Sequence, residues 1–175
     1  MEQKIDLPSF FKGLNKKFYD VVILDTPDPQ TKMLSKLYSY EFYIMLKKVI
    51  HKHTIIAQQG TSPYYSNESF TLIGETLAQS SFKALAYVDY IPSFGLWGFW
   101  LASLENNNIV IKQEDLFRFN QNLLIPTQYL SKEQIDKSFY IGQSYINRSN
   151  HQINTIKNNL IFFHYLTSWK NQIYL

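Results

Sequence analysis

A short apolar run early in the chain ends abruptly in acidic and turn-forming residues. Four consecutive branched aliphatic residues occupy Val21 to Leu24, and two carboxylates, Asp25 and Asp28, follow with a proline close behind each. A run of this kind, bounded by turn formers, predicts a strand buried on both faces. Open α/β sheets place their ligand sites just beyond the carboxyl ends of strands. The pattern therefore predicts a site for a cationic ligand here; the alternative is that these Asp and Pro residues only form the turn after the strand.

Helical and strand periods alternate along the chain as far as residue 104. Apolar residues at helical spacing and short apolar runs predict helices over 8–15, 41–50 and 66–79 and strands over 54–57, 84–90 and 96–103. Only the turn from Pro92 to Gly95 separates the last two strands, so we expect that pair to be antiparallel. The order of elements predicts an α/β fold with a sheet of about four strands.

The character of the sequence changes beyond residue 104. Residues 105–175 are rich in Asn, Gln and Ile, with no comparable strand signal. Ser131 and Gln134 have the spacing of a capping box, which predicts that a helix starts there. Apolar residues over 155–169 predict a last helix. We expect 105–175 to be a helical C-terminal extension packed on the same domain as 1–104; a linker to a separate domain is the alternative.

Composition limits the classes of protein to consider. With 175 residues, 45% of them hydrophobic and 17% aromatic, the chain can build one core. The net charge of +3 comes from scattered lysines, so nucleic acid is not an expected partner. Cysteine is absent, which excludes disulfides, thiolate metal sites and a cysteine nucleophile. The longest largely apolar stretch, Phe94 to Leu104, is too short for a membrane helix, so we expect a soluble, cytoplasmic chain.

Two further groups of residues have structural explanations that compete with functional ones. His51 and His53 share a metal-like spacing, but no third ligand is near in the sequence. We therefore expect a solvated turn and no metal site. The aromatic residues Trp97, Phe99 and Trp100 offer rings for stacking on a ligand, although alternating aromatics in a strand more often belong to the core.

Several motifs in register resemble one protein family. They are Asp25 to Pro29, Lys36 to Tyr43, Gln59 to Tyr64 and Pro92 to Phe99, with weaker likeness over 126–130 and 154–169. In this order they resemble the polyamine aminopropyltransferases, the spermidine synthase family. The likeness is strongest to a branch whose members often carry an N-terminal membrane segment, which would make the full-length protein membrane-associated. The fold implied is the C-terminal half of a Rossmann-like, methyltransferase-type sheet, with 1–104 as a partial catalytic domain.

The resemblance implies a reaction and assigns residues to it. An aminopropyl group would pass from decarboxylated S-adenosylmethionine, the co-substrate, to a diamine such as putrescine. Because alkyl amines have pKa values near that of lysine, about 10.4, the substrate arrives protonated and needs a base. Asp25 matches the base of the family and Asp28 matches the acid that orients the amine. Gln59 matches a further polar contact of the amine.

Three other positions complete the assignment implied by the resemblance. Tyr38 lies in the motif that follows the active-site loop and is assigned to substrate binding. Phe94 stands where soluble spermidine synthases often have a tyrosine hydroxyl, which removes a hydrogen bond to the diamine and leaves putrescine as the family default. Asp6 is similar to the acid that contacts the adenine amine of the donor.

The sequence also departs from the family pattern. It contains six glycines and no Gly-rich loop of the type that holds the nucleoside. We therefore expect a cofactor-binding half to be missing from this chain and to come from a longer or separate polypeptide. The alternative is a non-catalytic remnant or interaction module. In either case we expect the strand at 21–24 to be an exposed edge, through which the chain self-associates or pairs with a separate N-terminal half.

Overall fold

The computed structural model of the chain describes residues 6–12, 19–105, 128–146 and 152–170. The strands are β1 (Tyr19–Leu24), β2 (Ile50–Gln59), β3 (Phe82–Ile91) and β4 (Gly95–Leu104). The α-helices are α1 (Leu7–Lys12), α2 (Tyr40–Leu46), α3 (Asn67–Gln79), α4 (Lys132–Ser144) and α5 (Leu160–Lys170), and a 3₁₀ helix spans Leu34–Tyr38.

The four strands form one sheet in the order β1-β2-β4-β3. Strands β1 and β2 are parallel, whereas β4 is antiparallel to both β2 and β3. The predicted α/β sheet of four strands with an antiparallel final pair is therefore confirmed. At the turn between β3 and β4, Gly95 has a φ of 75°, a conformation that favours glycine.

The core lies on one face of the sheet. Ile56 on β2 and Ala102 on β4 are register partners with no exposed surface, and their neighbours Trp100 and Ala86 are almost as buried. Phe70 of α3 stacks on Trp100 with ring centroids 5.0 Å apart. Helices α2 and α3 cover this face and α1 packs on α2, and together they enclose most of the buried apolar residues of the described ranges.

Burial on both faces, as predicted for the first strand, is wrong, whereas the expected exposure of this strand as a sheet edge is confirmed. Val21 and Ile23 are 61% and 74% exposed, because β1 lies at the edge of the sheet and these two side chains point away from the core. Val22 and Leu24 alternate with them and pack against the core. A run of branched residues indicates a strand, but it does not say which neighbours cover that strand.

Two predicted helix boundaries also differ from the structure. The helix predicted over 41–50 ends at Leu46, and Ile50 begins β2. Ser39 starts the helix by accepting a hydrogen bond from the backbone N–H of Phe42. The last helix begins at Leu160 and not at 155, because the preceding residues form a turn in which Asn159 has a φ of 47°.

The predicted capping box is confirmed. Ser131 accepts from the backbone N–H of Gln134, whose side chain accepts from the backbone N–H of Ser131. Helix α4 then packs on β3, and α5 packs on α3 and the 3₁₀ helix. The proposed division at residue 104 stays a prediction. No helix in the four described ranges has the length and apolar character needed to cross a membrane.

His51 and His53 lie in β2 and not in the predicted turn. The Nε2 atom of His51 is 2.8 Å from Oδ1 of Asp20, across from it on β1. Among the described residues, no three His, Asp or Glu side chains are grouped in a way that would hold a metal ion.

Candidate active site

A buried tyrosine forms hydrogen bonds with the backbone of the loop that follows β1. Tyr38 has no exposed surface, and its hydroxyl donates to the backbone carbonyls of Pro27, at 2.9 Å, and Thr26, at 3.2 Å. The 3₁₀ helix ends at Tyr38, so packing of that helix against the core determines where the hydroxyl sits. The loop that carries both acidic residues is thereby tied to the core.

Gln59, the last residue of β2, links the loop to the neighbouring strand. The two hydrogens of its Nε2 atom are shared among three acceptors, which are the carbonyl of Thr26 at 2.6 Å, the Tyr38 hydroxyl at 2.9 Å and Oδ1 of Asp28 at 3.1 Å. Its Oε1 atom accepts from the backbone N–H of Thr61 at 2.9 Å and from Nε1 of Trp97 at 3.0 Å. The hydrogen-bonding capacity of the amide is therefore filled by the protein.

Backbone strain occurs beside this amide. Thr61 adopts a φ of 64°, which is rare for a β-branched residue. Its carbonyl accepts from the N–H of Gly98 on β4, and its N–H donates to Gln59. Two hydrogen bonds thus compensate for the strained conformation, and they fix the Gln59 side chain.

Asp28 is half-buried and receives one donor on each oxygen. Gln59 donates to Oδ1, and the hydroxyl of Tyr165, on α5, donates to Oδ2 at 2.9 Å. Each oxygen of an ionised carboxylate has two acceptor positions, so about half of the capacity of Asp28 is left for a ligand. The two protein donors hold the plane of this carboxylate.

Both tyrosines of the network remain hydrogen-bond donors at neutral pH. Burial raises the pKa of the Tyr38 hydroxyl, and burial followed by the nearby charge of Asp28 raises the pKa of the Tyr165 hydroxyl. An ionised phenolate next to a carboxylate would repel it. The protonated Tyr165 hydroxyl instead stabilises a negative charge on Asp28, and the protonated Tyr38 hydroxyl binds the backbone of the loop.

Asp25 has a different environment. Its side chain is exposed, and no hydrogen bond from the described part of the chain reaches its carboxylate. It lines an open pocket of about 530 Å³ whose other walls are mainly apolar and include Ala57, Phe94 and Phe99. This carboxylate is open to contact with a molecule in the pocket.

A second pocket, of about 680 Å³, surrounds Asp28. Its walls are aromatic, with rings from Tyr65, Phe94, Trp97, Tyr165 and Trp169. Phe94 and Trp97 line both pockets and lie together, with ring centroids 5.2 Å apart. The two acids therefore face adjoining spaces separated by a pair of aromatic rings.

This arrangement suits a small organic cation with two charged ends. Each space contains one carboxylate, and aromatic faces also attract cations, by about 0.5 to 2 kcal/mol for each contact. Asp25 and Asp28 are three residues apart, so their Cα atoms are separated by at most about 11 Å. The fold and the pocket together define an α/β protein with a candidate amine-binding site beyond the ends of its strands.

The chain belongs to the spermine/spermidine synthase family, because the model of the spermine/spermidine synthase domain matches residues 6–114. The match includes the whole sheet and the loop that carries both acids. The family resemblance inferred from the motifs is confirmed.

Curated relatives share the match but are much longer. A polyamine aminopropyltransferase of Shewanella oneidensis is 38% identical over 103 residues, which cover 56% of this chain and 18% of that protein. Polyamine aminopropyltransferase 2 of Aquifex aeolicus is 31% identical over 160 residues, which cover 91% of this chain and 30% of that protein. The matched part of the chain thus covers less than a third of the length of either relative.

Solved structures confirm the fold. A spermidine synthase in complex with the transition-state analogue AdoDATO matches with a TM-score of 0.60 at 17% identity, over 79% of this chain and 48% of that one. The spermidine synthase from Thermotoga maritima matches with a TM-score of 0.57 at 17% identity, over 80% of this chain and 47% of that one. At this identity the likeness concerns the architecture alone.

The structure brings five of the six predicted site residues together; they are Asp25, Asp28, Tyr38, Gln59 and Phe94. Asp6, the sixth, is exposed and lies just before α1, and it does not line either pocket. Tyr38 lies beneath the pocket surface, Gln59 lines the Asp25 pocket with 8% of its surface exposed, and Phe94 is 62% exposed on the rim. The roles of all six in binding and catalysis stay predictions.

The sequence pattern missed three residues of the site. Trp97 was expected in the core, but it lines both pockets and donates to Gln59. Tyr165 and Trp169 come from α5, more than 130 positions after Asp28. Their spacing of four places both rings on one side of a helix, but nothing local in the sequence indicates that this side meets the acidic loop.

Proposed function

We propose that this chain supplies the acceptor side of an aminopropyltransferase of polyamine biosynthesis, with decarboxylated S-adenosylmethionine as donor and a diamine as acceptor. The contrast between the two carboxylates carries the proposal. Asp28 is held by two donors, as an anchor for a cation should be, and Asp25 is exposed and free of partners in the described ranges. The family membership supports the same reaction.

The anchor acts first in this mechanism. The distal ammonium of the diamine donates to the free acceptor positions of Asp28 and lies against the aromatic walls around it. Gln59 keeps Asp28 in place and does not itself contact the amine, because its amide is already occupied. Binding of one end of the diamine at Asp28 directs the other end past Phe94 and Trp97 towards Asp25.

Asp25 then acts as the base. The reacting ammonium gives its proton to the Asp25 carboxylate, and the resulting lone pair on nitrogen attacks the aminopropyl carbon bonded to the sulfonium. A C–N bond forms and the C–S bond breaks, with its electron pair passing to sulfur, so that methylthioadenosine leaves as a neutral thioether. Holding the amine in line with the C–S bond supplies much of the rate enhancement.

Which diamine binds best should depend on Phe94, at the rim of the two pockets. Phe94 has no hydroxyl to accept or donate a hydrogen bond, so a diamine in this site makes one polar contact fewer than it would beside a tyrosine. A missing contact of this kind changes affinity by about 1 to 3 kcal/mol. Putrescine is the proposed acceptor because it is the default of the family.

The donor side is proposed to come from another polypeptide segment. Asp6 is the one residue of this chain assigned to the donor. The exposed apolar residues Val21 and Ile23 on the edge strand β1 support pairing with a further strand. In a solution of this chain alone, a second copy provides that strand.

Titration calorimetry with putrescine tests the acceptor site directly. We expect the chain to bind putrescine and Asp28→Asn to weaken binding about 10- to 100-fold, because a hydrogen bond to a charged group contributes about 1.5 to 3 kcal/mol. Asp25→Asn should weaken binding less than Asp28→Asn does, because Asp25 is exposed and water screens its charge. Asp20→Asn, which removes an exposed carboxylate elsewhere on β1, is the matched control.

Two results would overturn parts of this proposal. If the chain does not bind putrescine, or if Asp28→Asn binds it equally well, the acceptor site is wrong. Release of methylthioadenosine from decarboxylated S-adenosylmethionine and putrescine should be absent for the chain alone. Turnover by the chain alone, abolished in Asp25→Asn, would show instead that no separate donor half is needed.

A further inference from the structure

One wall of the Asp28 pocket comes from a helix outside the part of the chain that the family model matches. The match ends at residue 114, whereas α5 spans Leu160–Lys170. Tyr165 and Trp169 of this helix line the pocket together with Asp28. We infer that α5 is a specificity element for the acceptor, in which Tyr165 positions Asp28 and Trp169 forms the aromatic surface that receives the distal ammonium of a diamine. This inference rests on the proposed function.

The position of α5 relative to the site is fixed by buried polar contacts. Asn154 has no exposed surface, and its backbone and side chain bind four other elements of the structure. Its Nδ2 donates to the carbonyl of Ser35 at 2.8 Å, its N–H donates to Thr76 Oγ1 at 3.0 Å, its carbonyl accepts from Tyr40 N–H at 2.8 Å, and its Oδ1 accepts from Ile161 N–H at 3.2 Å. The start of α5 is therefore joined to the 3₁₀ helix, α2 and α3.

A second polar contact holds the middle of the helix. Nδ1 of His164 lies 2.6 Å from Oε2 of Glu68 on α3. The next residue, Tyr165, is only 7% exposed, and its hydroxyl reaches Asp28. Since the helix is fixed at its start and at the residue before Tyr165, the Tyr165 hydroxyl is preorganised to orient the carboxylate before a ligand arrives.

The rings beyond Tyr165 extend the pocket outwards. Trp169 lies one helical turn further along α5, with its ring centroid 5.9 Å from that of Tyr165 and 5.8 Å from that of Tyr65. Tyr65 follows the end of β2 and is 46% exposed. These rings lie on the Asp28 side and do not line the pocket of Asp25. They are placed to recognise the distal charge of the acceptor and not its reacting amine.

Because the α5 rings line only the Asp28 pocket, a role of α5 in specificity can be distinguished from a purely structural role. A diamine uses both pockets, whereas a monoamine of the same carbon length has no second charge for Asp28 and Trp169 to bind. Loss of the Tyr165 hydroxyl or of the Trp169 ring should weaken the diamine alone. General damage to the fold would weaken both ligands to the same extent.

The test compares putrescine and butylamine on the same protein by titration calorimetry. For the unchanged chain we expect putrescine to bind more tightly than butylamine. We expect Tyr165→Phe and Trp169→Leu each to reduce that preference about 3- to 10-fold, with the affinity for butylamine unchanged. Tyr140→Phe, at a tyrosine on α4 that is 75% exposed, and Phe163→Leu, on the outer side of α5, are the matched controls.

Each outcome decides one of the two proposals. If the unchanged chain does not prefer putrescine, the anchoring role of Asp28 and with it the proposed function are wrong. If the unchanged chain prefers putrescine and both α5 variants keep the full preference, the proposed function stands and the role of α5 is wrong. Equal weakening of putrescine and butylamine in both variants would also overturn the inference, because it would assign α5 a structural role only.

Discussion

The two faces of the sheet differ in what covers them. On each face, one residue from each of the four strands lies beside its register partners, and these four residues form a row across the sheet. These two rows differ by one position on every strand, so they lie on opposite faces. The row on the covered face is Val22, Ile56, Ala102 and Ala84. The row on the other face is Ile23, Ala57, Leu101 and Leu85; α4 packs on this face at β3, and we call it the open face because β1 is exposed there. Both rows are apolar, yet Ile56 and Ala102 are fully buried whereas Ile23 is 74% exposed.

The comparison assigns different tasks to the two faces. The covered face holds the fold together, with the stacked rings of Phe70 and Trp100 at its centre. The open face carries the Asp25 pocket, whose walls include Ile23, Ala57 and Phe99. A site built on an incompletely covered face is accessible to ligands and to other polypeptide segments. Stability and function should therefore respond differently to substitutions on the two faces.

The largest effect is expected on the covered face. Phe70 has no exposed surface, and the positions of Gly74 and Gly98 are so close to the rings of Trp100 and Phe70 that a Cβ atom at either would overlap them. Phe70→Ala leaves a cavity in this tightly packed region and should lower the free energy of unfolding by about 3 to 5 kcal/mol. Urea denaturation followed by circular dichroism measures the change.

An exposed phenylalanine provides the control for that experiment. Phe163→Ala removes a ring that is 48% exposed and should change the free energy of unfolding by about 1 kcal/mol or less. If Phe70→Ala is as mild as Phe163→Ala, the covered face is not the main source of stability, and the contrast between the faces does not hold.

A smaller loss of stability is expected for a buried residue that binds the acidic loop. Tyr38 is buried, but its hydroxyl binds the loop of Asp25 and Asp28 and accepts from Gln59. Tyr38→Phe removes these bonds and keeps the ring, so it should lower the free energy of unfolding by about 1 to 3 kcal/mol. It should also weaken putrescine binding, because Gln59 and Asp28 lose part of their support.

Stability and binding are both needed to interpret Tyr38→Phe. Urea denaturation gives the change in stability, and calorimetry at a temperature where the variant is fully folded gives the change in affinity. Tyr140→Phe serves again as the control. Unchanged putrescine affinity in folded Tyr38→Phe would mean that the buried hydroxyl stabilises the loop without positioning the acids.

The sequence predicted those features that depend on nearby residues. Alternating periods indicated four strands and their order along the chain, and the spacing of Ser131 and Gln134 identified the start of α4. The two acids were found because a turn at the end of an apolar strand is a local feature. Gln59 was found because it ends the neighbouring parallel strand within a recognisable motif.

Features that depend on distant residues could not be predicted from local patterns; the exposed edge at β1 was expected from the family resemblance and not from the residues of the strand. The run Val21 to Leu24 has the composition of a buried strand, but its burial depends on which elements lie beside β1 and not on its own residues. Trp97 has the pattern of a core residue, although it faces the pockets. Tyr165 reaches Asp28 only because Asn154 holds the start of α5 on the core, and no local pattern contains that information.

The smallest effect on stability, and the sharpest test of the open face, is expected from Ile23. Because its side chain is 74% exposed, Ile23→Lys should change the free energy of unfolding by no more than about 0.5 kcal/mol. A charge on an edge strand nevertheless opposes pairing with another strand. Analytical sedimentation should therefore show self-association of the unchanged chain and a shift towards monomer in Ile23→Lys.

A second isoleucine separates an effect of the edge from an effect of added charge. Ile156 precedes α5 and is 40% exposed, so Ile156→Lys adds the same charge far from β1 and should leave self-association unchanged. A chain that is already monomeric, or equal shifts in both variants, would contradict pairing through β1. A shift confined to Ile23→Lys would show that the exposed edge strand promotes association and that added charge elsewhere does not. The apolar residues of the covered face, tested by Phe70→Ala, stabilise the fold instead.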